Sequence, residues 1–174
     1  MIIKFKVNFL CGSPRRNGQL LGAGYDNIDV DLCSARSVLV SNVPKAVDDA
    51  TADTAMFLIL ATLRGFNNGI MAIRSGNWRG HVPPPPIGHD PQGKVLGILG
   101  MGGIGRNLKK KAEVFGMKII YYNRSRPSDK LADGAEYVEL DELFARSDVL
   151  SLHMPLNVSK IEQAIMKSLS RRLF

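Results

Sequence analysis

Residues 95–107 read VLGILGMGGIGRN. Residues 94–99 are typical of a buried strand, and residues 103–115 are typical of a helix. Between them, Gly100, Gly102 and Gly105 form the pattern G-x-G-x-x-G. In a dinucleotide cradle the first glycine makes a tight turn, the second lets backbone approach a pyrophosphate, and the third allows close helix–strand packing. The bare pattern also marks ordinary turns, and the flanking strand and helix are what favour the cradle.

The elements after this turn predict an α/β fold. The predicted helix ends at Gly116, a usual helix stop, and its N-terminal N–H groups, near Gly103 and Ile104, would face phosphates. Three strands follow, with a helix capped by Asp141 before the last; the predicted strand ranges are 117–122, 135–138 and 149–152. Alternation of strands and helices indicates a parallel sheet with right-handed crossovers.

The residues before the turn predict a second, less regular half. Their predicted elements are a half-buried strand over 3–9, a loop over 11–24, a buried strand over 37–43, a helix over 48–64 and a proline-rich linker over 76–93. Asp48 or Asp49 can cap the helix. Because that helix is apolar on nearly every face, we expect it to be buried on all sides, in a core or against a second subunit.

The end of the second strand bears on the choice of dinucleotide. NAD-binding domains usually carry an acidic residue there, about twenty residues beyond the glycines, to bond the ribose 2′-hydroxyl. Here the segment reads YYNRSR over 121–126, and Asn123 stands near the expected acidic position. Arg124 and Arg126 can form charge-assisted bonds to a 2′-phosphate, and Ser125 can donate another. The segment therefore favours NADP(H) over NAD(H), the alternative being a solvated basic turn.

Composition favours a globular protein without nucleic-acid, membrane or metal partners. The net charge of +7 comes from scattered lysines and arginines, with no recognisable nucleic-acid-binding motif. The two cysteines, Cys11 and Cys33, lack metal-ligand spacing. Lys4 and Lys6 interrupt any signal-like apolar region, and the longest uncharged apolar stretch is about half of what a bilayer crossing needs. We expect a soluble, cytoplasmic protein.

Five stretches of the sequence, in this order and spacing, resemble the D-isomer-specific 2-hydroxyacid dehydrogenases, and are closest to the glyoxylate/hydroxypyruvate reductase branch. They are GAGYDNIDVDLC (22–33), SNVPKAVDDATADTAMFLILATLRG (41–65), the G-x-W at 76–78, GKVLGILGMGGIGRNLKKKAEVFGMKIIYYNRSR (93–126) and SDVLSLHMPLN (147–157). Together they lie within residues 22–157.

The resemblance implies two domains: a flavodoxin-like catalytic domain built from both ends of the chain, and a Rossmann domain inserted between them. We therefore expect a fragment of the catalytic domain over 1–46, a partial NAD(P)-binding Rossmann domain, a doubly wound parallel sheet, over 47–157, and a tail over 158–174 that does not follow the family. It also implies a homodimer formed through the helix 48–64.

The resemblance also implies site residues. Ala23 and Gly24 match the turn whose backbone amides hold a substrate carboxylate. Without the resemblance, the sequence predicts only a glycine turn at the end of a strand. Thr51 matches a residue near the cofactor phosphate, although the sequence alone shows only a helix-start residue. His153 and Pro155 match the strand end beside the adenosine. The remaining cofactor positions are the loop residues Gly100, Met101, Gly102, Gly103, Ile104 and Gly105. The implied activity is NADPH-dependent reduction of glyoxylate or hydroxypyruvate, both 2-keto acids, to a D-2-hydroxy acid.

The chain also departs from the family. The family's catalytic Arg, Glu and His belong to stretches that lie beyond the segment ending at Asn157, and residues 158–174 match none of them. We therefore predict no catalytic residue here, expect an internal fragment with negligible turnover on its own, and expect strand 149–152 to be an exposed sheet edge. The alternatives are a non-catalytic dinucleotide-binding or dimerising module, and a product without function.

Overall fold

A computed structural model describes residues 17–19, 24–25, 28–78, 88–125 and 132–154 of the 174-residue chain. Its helices and strands, in chain order, are β1 (Asn17–Gln19), α1 (Val30–Ala35), β2 (Leu39–Ser41), α2 (Asp48–Leu63), α3 (Phe66–Arg74), β3 (Val95–Leu99), α4 (Gly103–Val114), β4 (Lys118–Tyr122), β5 (Glu136–Tyr137), α5 (Leu140–Arg146) and β6 (Val149–Leu152). The predicted α/β class is confirmed.

Four parallel strands form the main sheet in the order β5-β4-β3-β6. The chain moves outward from β3 through β4 to β5, and then returns by α5 to the other side of β3. This is the first part of the doubly wound order, in which ligands bind outside the carboxyl ends of the strands where the order reverses. Here that point lies between β3 and β6.

The side chains of β3 alternate between two apolar layers, as the period of a strand requires. Leu96 and Ile98 face α2 and α4, together with Leu108 of α4. Leu99 faces α5 on the other side, together with Leu143. Gly97 leaves the space that α5 needs, because a Cβ there would lie 1.9 Å from the hydroxyl oxygen of the buried Ser147.

Lys109 connects α4 to the turn before β5 through ion pairs and hydrogen bonds. Its side chain is almost completely buried, and Nζ lies 3.0 Å from Asp133 Oδ2 and 3.2 Å from Glu113 Oε2. It also donates to the carbonyl of Asp133. Burial opposes the charge, but the bonds to Asp133 and Glu113 outweigh it and raise the pKa of Lys109. The lysine is therefore a structural cation at the sheet edge.

The helix 48–64 was expected to be buried on all sides, in a core or against a second subunit, and within this chain α2 is buried on one face. One face of α2, formed by Ala52, Met56 and Ile59, packs into the core. Phe57 and Leu58 are 59% and 57% exposed. Helix α2 therefore has apolar side chains on two faces. Helix α4 packs against one of these faces, and the other is exposed within this chain.

Several local predictions in the first half were wrong. The predicted loop 11–24 contains β1, which pairs in parallel with β2, because strand pairing overrides local turn propensity. The strand predicted as buried over 37–43 is short, and its Leu39 is 73% exposed. Helix α3 was not predicted from the sequence. The predicted strand 3–9 lies outside the described residues, and the domain boundaries stay predictions.

The helix starts differ from the predicted caps. Val47 precedes α2 and makes no side-chain cap, and neither Asp48 nor Asp49 takes that role. Likewise, α5 begins after Glu139 rather than at Asp141. In the described part of the chain, no single helix is long and apolar enough to cross a membrane; α2 and α3 reach that length and composition only as a pair bent by 72°.

Candidate functional site

The glycine loop lies at the carboxyl end of β3 and is held by both neighbouring strands. Gly100 donates its N–H to the carbonyl of Tyr122 at 3.0 Å. Its φ of 104° suits glycine, and a Cβ there would lie 2.6 Å from the carbonyl oxygen of His153. Gly100 thus makes the tight turn that the sequence predicted for it.

The other two glycines of the pattern have opposite surroundings. A Cβ on Gly105 would lie 2.4 Å from the carbonyl oxygen of Gly100 and 3.2 Å from Ile98 Cγ2. A Cβ on Gly102 would meet nothing within 4 Å. The loop is therefore closed on the side of the sheet and open at Gly102, which is the shape that a pyrophosphate cradle requires.

The start of α4 gives this cradle a positive electrostatic potential. Gly102 precedes the helix without a side-chain cap, and Gly103 and Ile104 form its first turn. The first N–H groups of a helix have no acceptor within the helix, and the helix dipole makes this end positive. The residues present therefore suit the phosphates of a dinucleotide.

Asn123 connects the end of β4 to the glycine loop. Its Oδ1 accepts the backbone N–H of Met101 at 2.7 Å, and the Met101 side chain is buried at the base of the loop. Arg124 and Ser125 follow and are exposed, where a ligand can reach them. Arg126 lies outside the described residues. Sequence spacing placed Asn123 near the acidic position of NAD-binding domains but gave no sign of its bond to Met101.

His153 closes the cradle from the β6 side. Its backbone N–H donates to the carbonyl of Leu99 at 2.8 Å, and its Nε2 lies 2.8 Å from the hydroxyl of Ser151. Burial lowers the pKa of His153, so its ring is neutral near pH 7. A neutral ring can donate to or accept from Ser151 without adding charge. Pro155 lies outside the described residues.

Thr51 and His153 line a common groove. It lies between α2 and β6 and has a volume of about 990 Å³. The hydroxyl of Thr51 donates to the carbonyl of Val47 at 2.7 Å. His89 is exposed and also lines this groove, and its backbone N–H donates to the carbonyl of Leu63 at 2.8 Å. The structure thus brings two predicted cofactor residues, far apart in sequence, to one surface.

The predicted substrate residues are described only in part. Gly24 is exposed, and the carbonyl of the following residue, Tyr25, accepts the N–H of Ile28 at 3.0 Å. Ala23 lies outside the described residues. Over the described ranges, no group of three His, Cys, Asp or Glu residues is placed to hold a metal ion. The assignments of individual residues to substrate and cofactor stay predictions.

The sheet order and the glycine cradle together define a Rossmann dinucleotide-binding domain. The family described as "D-isomer specific 2-hydroxyacid dehydrogenase, NAD binding domain" matches residues 56–170. The chain belongs to the D-isomer-specific 2-hydroxyacid dehydrogenase family, as its motifs indicated.

Named relatives agree with this assignment. The chain is 54% identical to 4-methyl-2-oxopentanoate reductase A of Aspergillus oryzae, over 79% of this chain and 41% of that protein. It is 45% identical to glyoxylate reductase 1 of Saccharomyces cerevisiae, over 78% and 40%. The crystal structure of a glyoxylate reductase from Paecilomyes thermophila superposes with a TM-score of 0.72 at 51% identity, covering 84% of this chain and 45% of that one. The chain therefore spans about two fifths of the length of these curated relatives.

Proposed function

We propose that this chain is the dinucleotide-binding part of a cytoplasmic reductase of 2-keto acids, and that it prefers NADP(H) to NAD(H). A bound nicotinamide dinucleotide would supply the hydride that reduces the keto group. Relatives named for glyoxylate and for 4-methyl-2-oxopentanoate reduction support the substrate class, because both compounds are 2-keto acids. The product would be the D-2-hydroxy acid.

The observation that carries the cofactor preference is the bond between Asn123 and Met101. By sequence spacing, an uncharged amide stands near the position where NAD-binding domains usually hold a carboxylate. A carboxylate there would repel a 2′-phosphate, whereas the amide does not, and the exposed Arg124 beside it can form a charge-assisted bond. Such a bond contributes about 1.5–3 kcal/mol, which is about tenfold to 150-fold in affinity.

Calorimetric titration with NADPH and NADH tests this preference. We expect tighter binding of NADPH, and we expect Arg124→Ala to weaken NADPH binding by about tenfold or more with little effect on NADH. Lys118→Ala is the matched control, because Lys118 is an exposed cation at the opposite end of the same strand. Equal affinities for both dinucleotides in the wild type would refute the NADP(H) preference.

The proposal assigns substrate contact to backbone amides near Ala23 and Gly24, and it assigns no catalytic residue to this chain. Hydride transfer requires groups that fix and polarise the keto acid. We therefore expect the chain alone to bind NADPH but to oxidise it negligibly in the presence of glyoxylate. Turnover at a rate typical of enzymes, about 1 per second or more, would show that these groups are present after all.

A second candidate function, formation of a homodimer, rests on the exposed apolar residues of α2 and α3. We call this surface the α2–α3 face; its members are Phe57, Leu58, Phe66, Ile70, Met71 and Ile73, all between 46% and 60% exposed. Exposed apolar side chains concentrated on two consecutive helices are typical of interaction sites. The proposal is that a second copy, or a full-length relative, covers it.

Sedimentation velocity tests the homodimer. Ile70→Glu should shift the protein toward monomer, because a carboxylate would be buried without a partner in the interface. Asn67→Glu is the matched control: it adds the same charge to an exposed polar position of α3. A wild-type protein that stays monomeric at high concentration would exclude the homodimer, and co-purification with a full-length relative would then test the mixed pair.

A further inference from the structure

Asp48 places a carboxylate at the start of α4, against the glycine loop. It is the first residue of α2, and its side chain crosses to Gly103 instead of capping its own helix. A Cβ on Gly103 would lie 1.9 Å from Asp48 Oδ2 and 2.6 Å from its Cγ. The carboxylate of Asp48 therefore occupies the space beside Gly103 where a side chain would begin, and a larger residue at 103 would require Asp48 to move.

The neighbouring acids of α2 are engaged elsewhere. Asp49 and Asp53 both bind the ammonium of Lys111, at 2.9 Å and 2.7 Å. Within the described segments, Asp48 has no ion pair of its own. Its carboxylate lies at the positive end of α4, where a negative charge is favourable.

This is the same helix end that the proposed cofactor needs. A pyrophosphate beside Gly102 and Gly103 would share the helix dipole with Asp48, and two like charges close together repel. The inference rests on the proposed function, because it concerns the dinucleotide phosphates. We propose that Asp48 is an affinity-determining residue that stabilises the cofactor-free loop and weakens binding of the dinucleotide pyrophosphate.

The test measures binding and the stability of the cofactor-free protein for Asp48→Asn. We expect the variant to bind NADPH about tenfold more tightly by calorimetric titration. The advantage should shrink from about 0.01 M to about 1 M salt, because screening weakens a charge effect. The cofactor-free variant should also melt about 1–4 °C lower, since the carboxylate no longer complements the helix end.

Asp49→Asn is the matched control. It removes the same charge from the same turn, but from a carboxylate that binds Lys111, and we expect its affinity to stay within about twofold of the wild type. An affinity gain of equal size in both variants would mean general charge rather than contact with Gly103, and would overturn the proposal.

The remaining outcomes separate this inference from the proposed function. Unchanged or weaker binding by Asp48→Asn, with the wild type binding normally, refutes the role of Asp48 and leaves the dinucleotide site intact. Binding by Asp48→Asn where the wild type binds undetectably supports both. Absence of binding in both proteins overturns the dinucleotide site and the role of Asp48 with it.

Discussion

Gly105→Ala tests whether helix α4 packs as closely on β3 as the structure shows. The added Cβ would lie 2.4 Å from the carbonyl oxygen of Gly100, where ordinary contacts begin at 3.4 Å. Helix and loop must therefore separate by about 1 Å, the difference between these two distances. Because the obstructing atom belongs to the backbone, no side-chain rotation can relieve the contact.

The expected loss follows from two opposing effects. Overpacking of a well-packed interior costs about 1–3 kcal/mol, and backbone contact places this case near the upper value. Alanine in a helix recovers up to about 1 kcal/mol relative to glycine. The net destabilisation is therefore about 2 kcal/mol, which corresponds to a melting temperature lower by about 4–8 °C in a chain of this size.

Gly102→Ala is the matched comparison, because the same methyl group enters open space. Its φ of −80° suits alanine, and no atom lies within 4 Å of the added Cβ. We expect its free energy of unfolding to stay within about 1 kcal/mol of the wild type, or to rise slightly. The methyl would nevertheless stand where a pyrophosphate approaches, so NADPH affinity should fall by about tenfold or more.

Urea denaturation followed by circular dichroism gives the stabilities, and calorimetric titration gives the affinities. A Gly105→Ala protein within about 0.5 kcal/mol of the wild type would show that α4 does not need this close approach. A Gly102→Ala protein that binds NADPH like the wild type would show that the pyrophosphate does not pass over Gly102. Either result would remove the physical basis for reading this loop as a cradle.

Three further predictions concern packing and pH. Burial lowers the pKa of His153 below its ordinary value of 6.5, so the unfolded state takes up a proton first as the pH falls. Urea titrations should therefore show stability declining as the pH falls through about 6.5. The decline should be less steep in His153→Gln. Lys109→Met should lower thermal stability by about 1–3 kcal/mol by deleting charged hydrogen bonds, whereas the exposed neighbour Lys110→Met should not. Gly97→Ala should destabilise the fold through its 1.9 Å approach to Ser147 Oγ, and a double-mutant cycle with Ser147→Gly should recover part of the loss.

The second half of the fold could be predicted because its signals are local. Residues 94–99 were predicted as a strand and β3 spans Val95–Leu99; the helix predicted over 103–115 spans Gly103–Val114. Gly116 ends it with a φ of 72°, as a helix-terminating glycine should. The structure of a short apolar strand, a glycine turn or an amphipathic helix is determined by residues that lie close together in the sequence.

The first half was harder because its structure depends on distant partners. β1 exists through its pairing with β2, a contact about twenty residues away along the chain. The apolar residues of α2 gave no sign of which face α4 covers. Asp48 looked like a helix cap by position, but its side chain contacts Gly103, which is 55 residues further along the sequence.

The site could be predicted at the level of motifs and not of contacts. Spacing located the glycines and Asn123, whereas the hydrogen bond from Met101 to Asn123 depends on how β3 and β4 are aligned. His153 and Thr51 were predicted as cofactor residues from the family resemblance. Only the fold shows that they line the same groove. Sequence periodicity reports which face is apolar; it does not report which polar groups meet across a sheet edge.

The bond between Met101 and Asn123 also makes cofactor choice separable from the shape of the loop. The loop needs an oxygen acceptor at residue 123, since the N–H of Met101 is directed there at 2.7 Å. An aspartate in that place would supply the same acceptor and would add the negative charge that NAD-binding domains use. Because the loop is otherwise fixed by Tyr122 and His153 on its two sides, residue 123 could change the electrostatics of the proposed ribose site while the turn at Gly100 stays in place. On this proposal, the same geometry would serve either dinucleotide, and the charges at the end of β4 would decide between them.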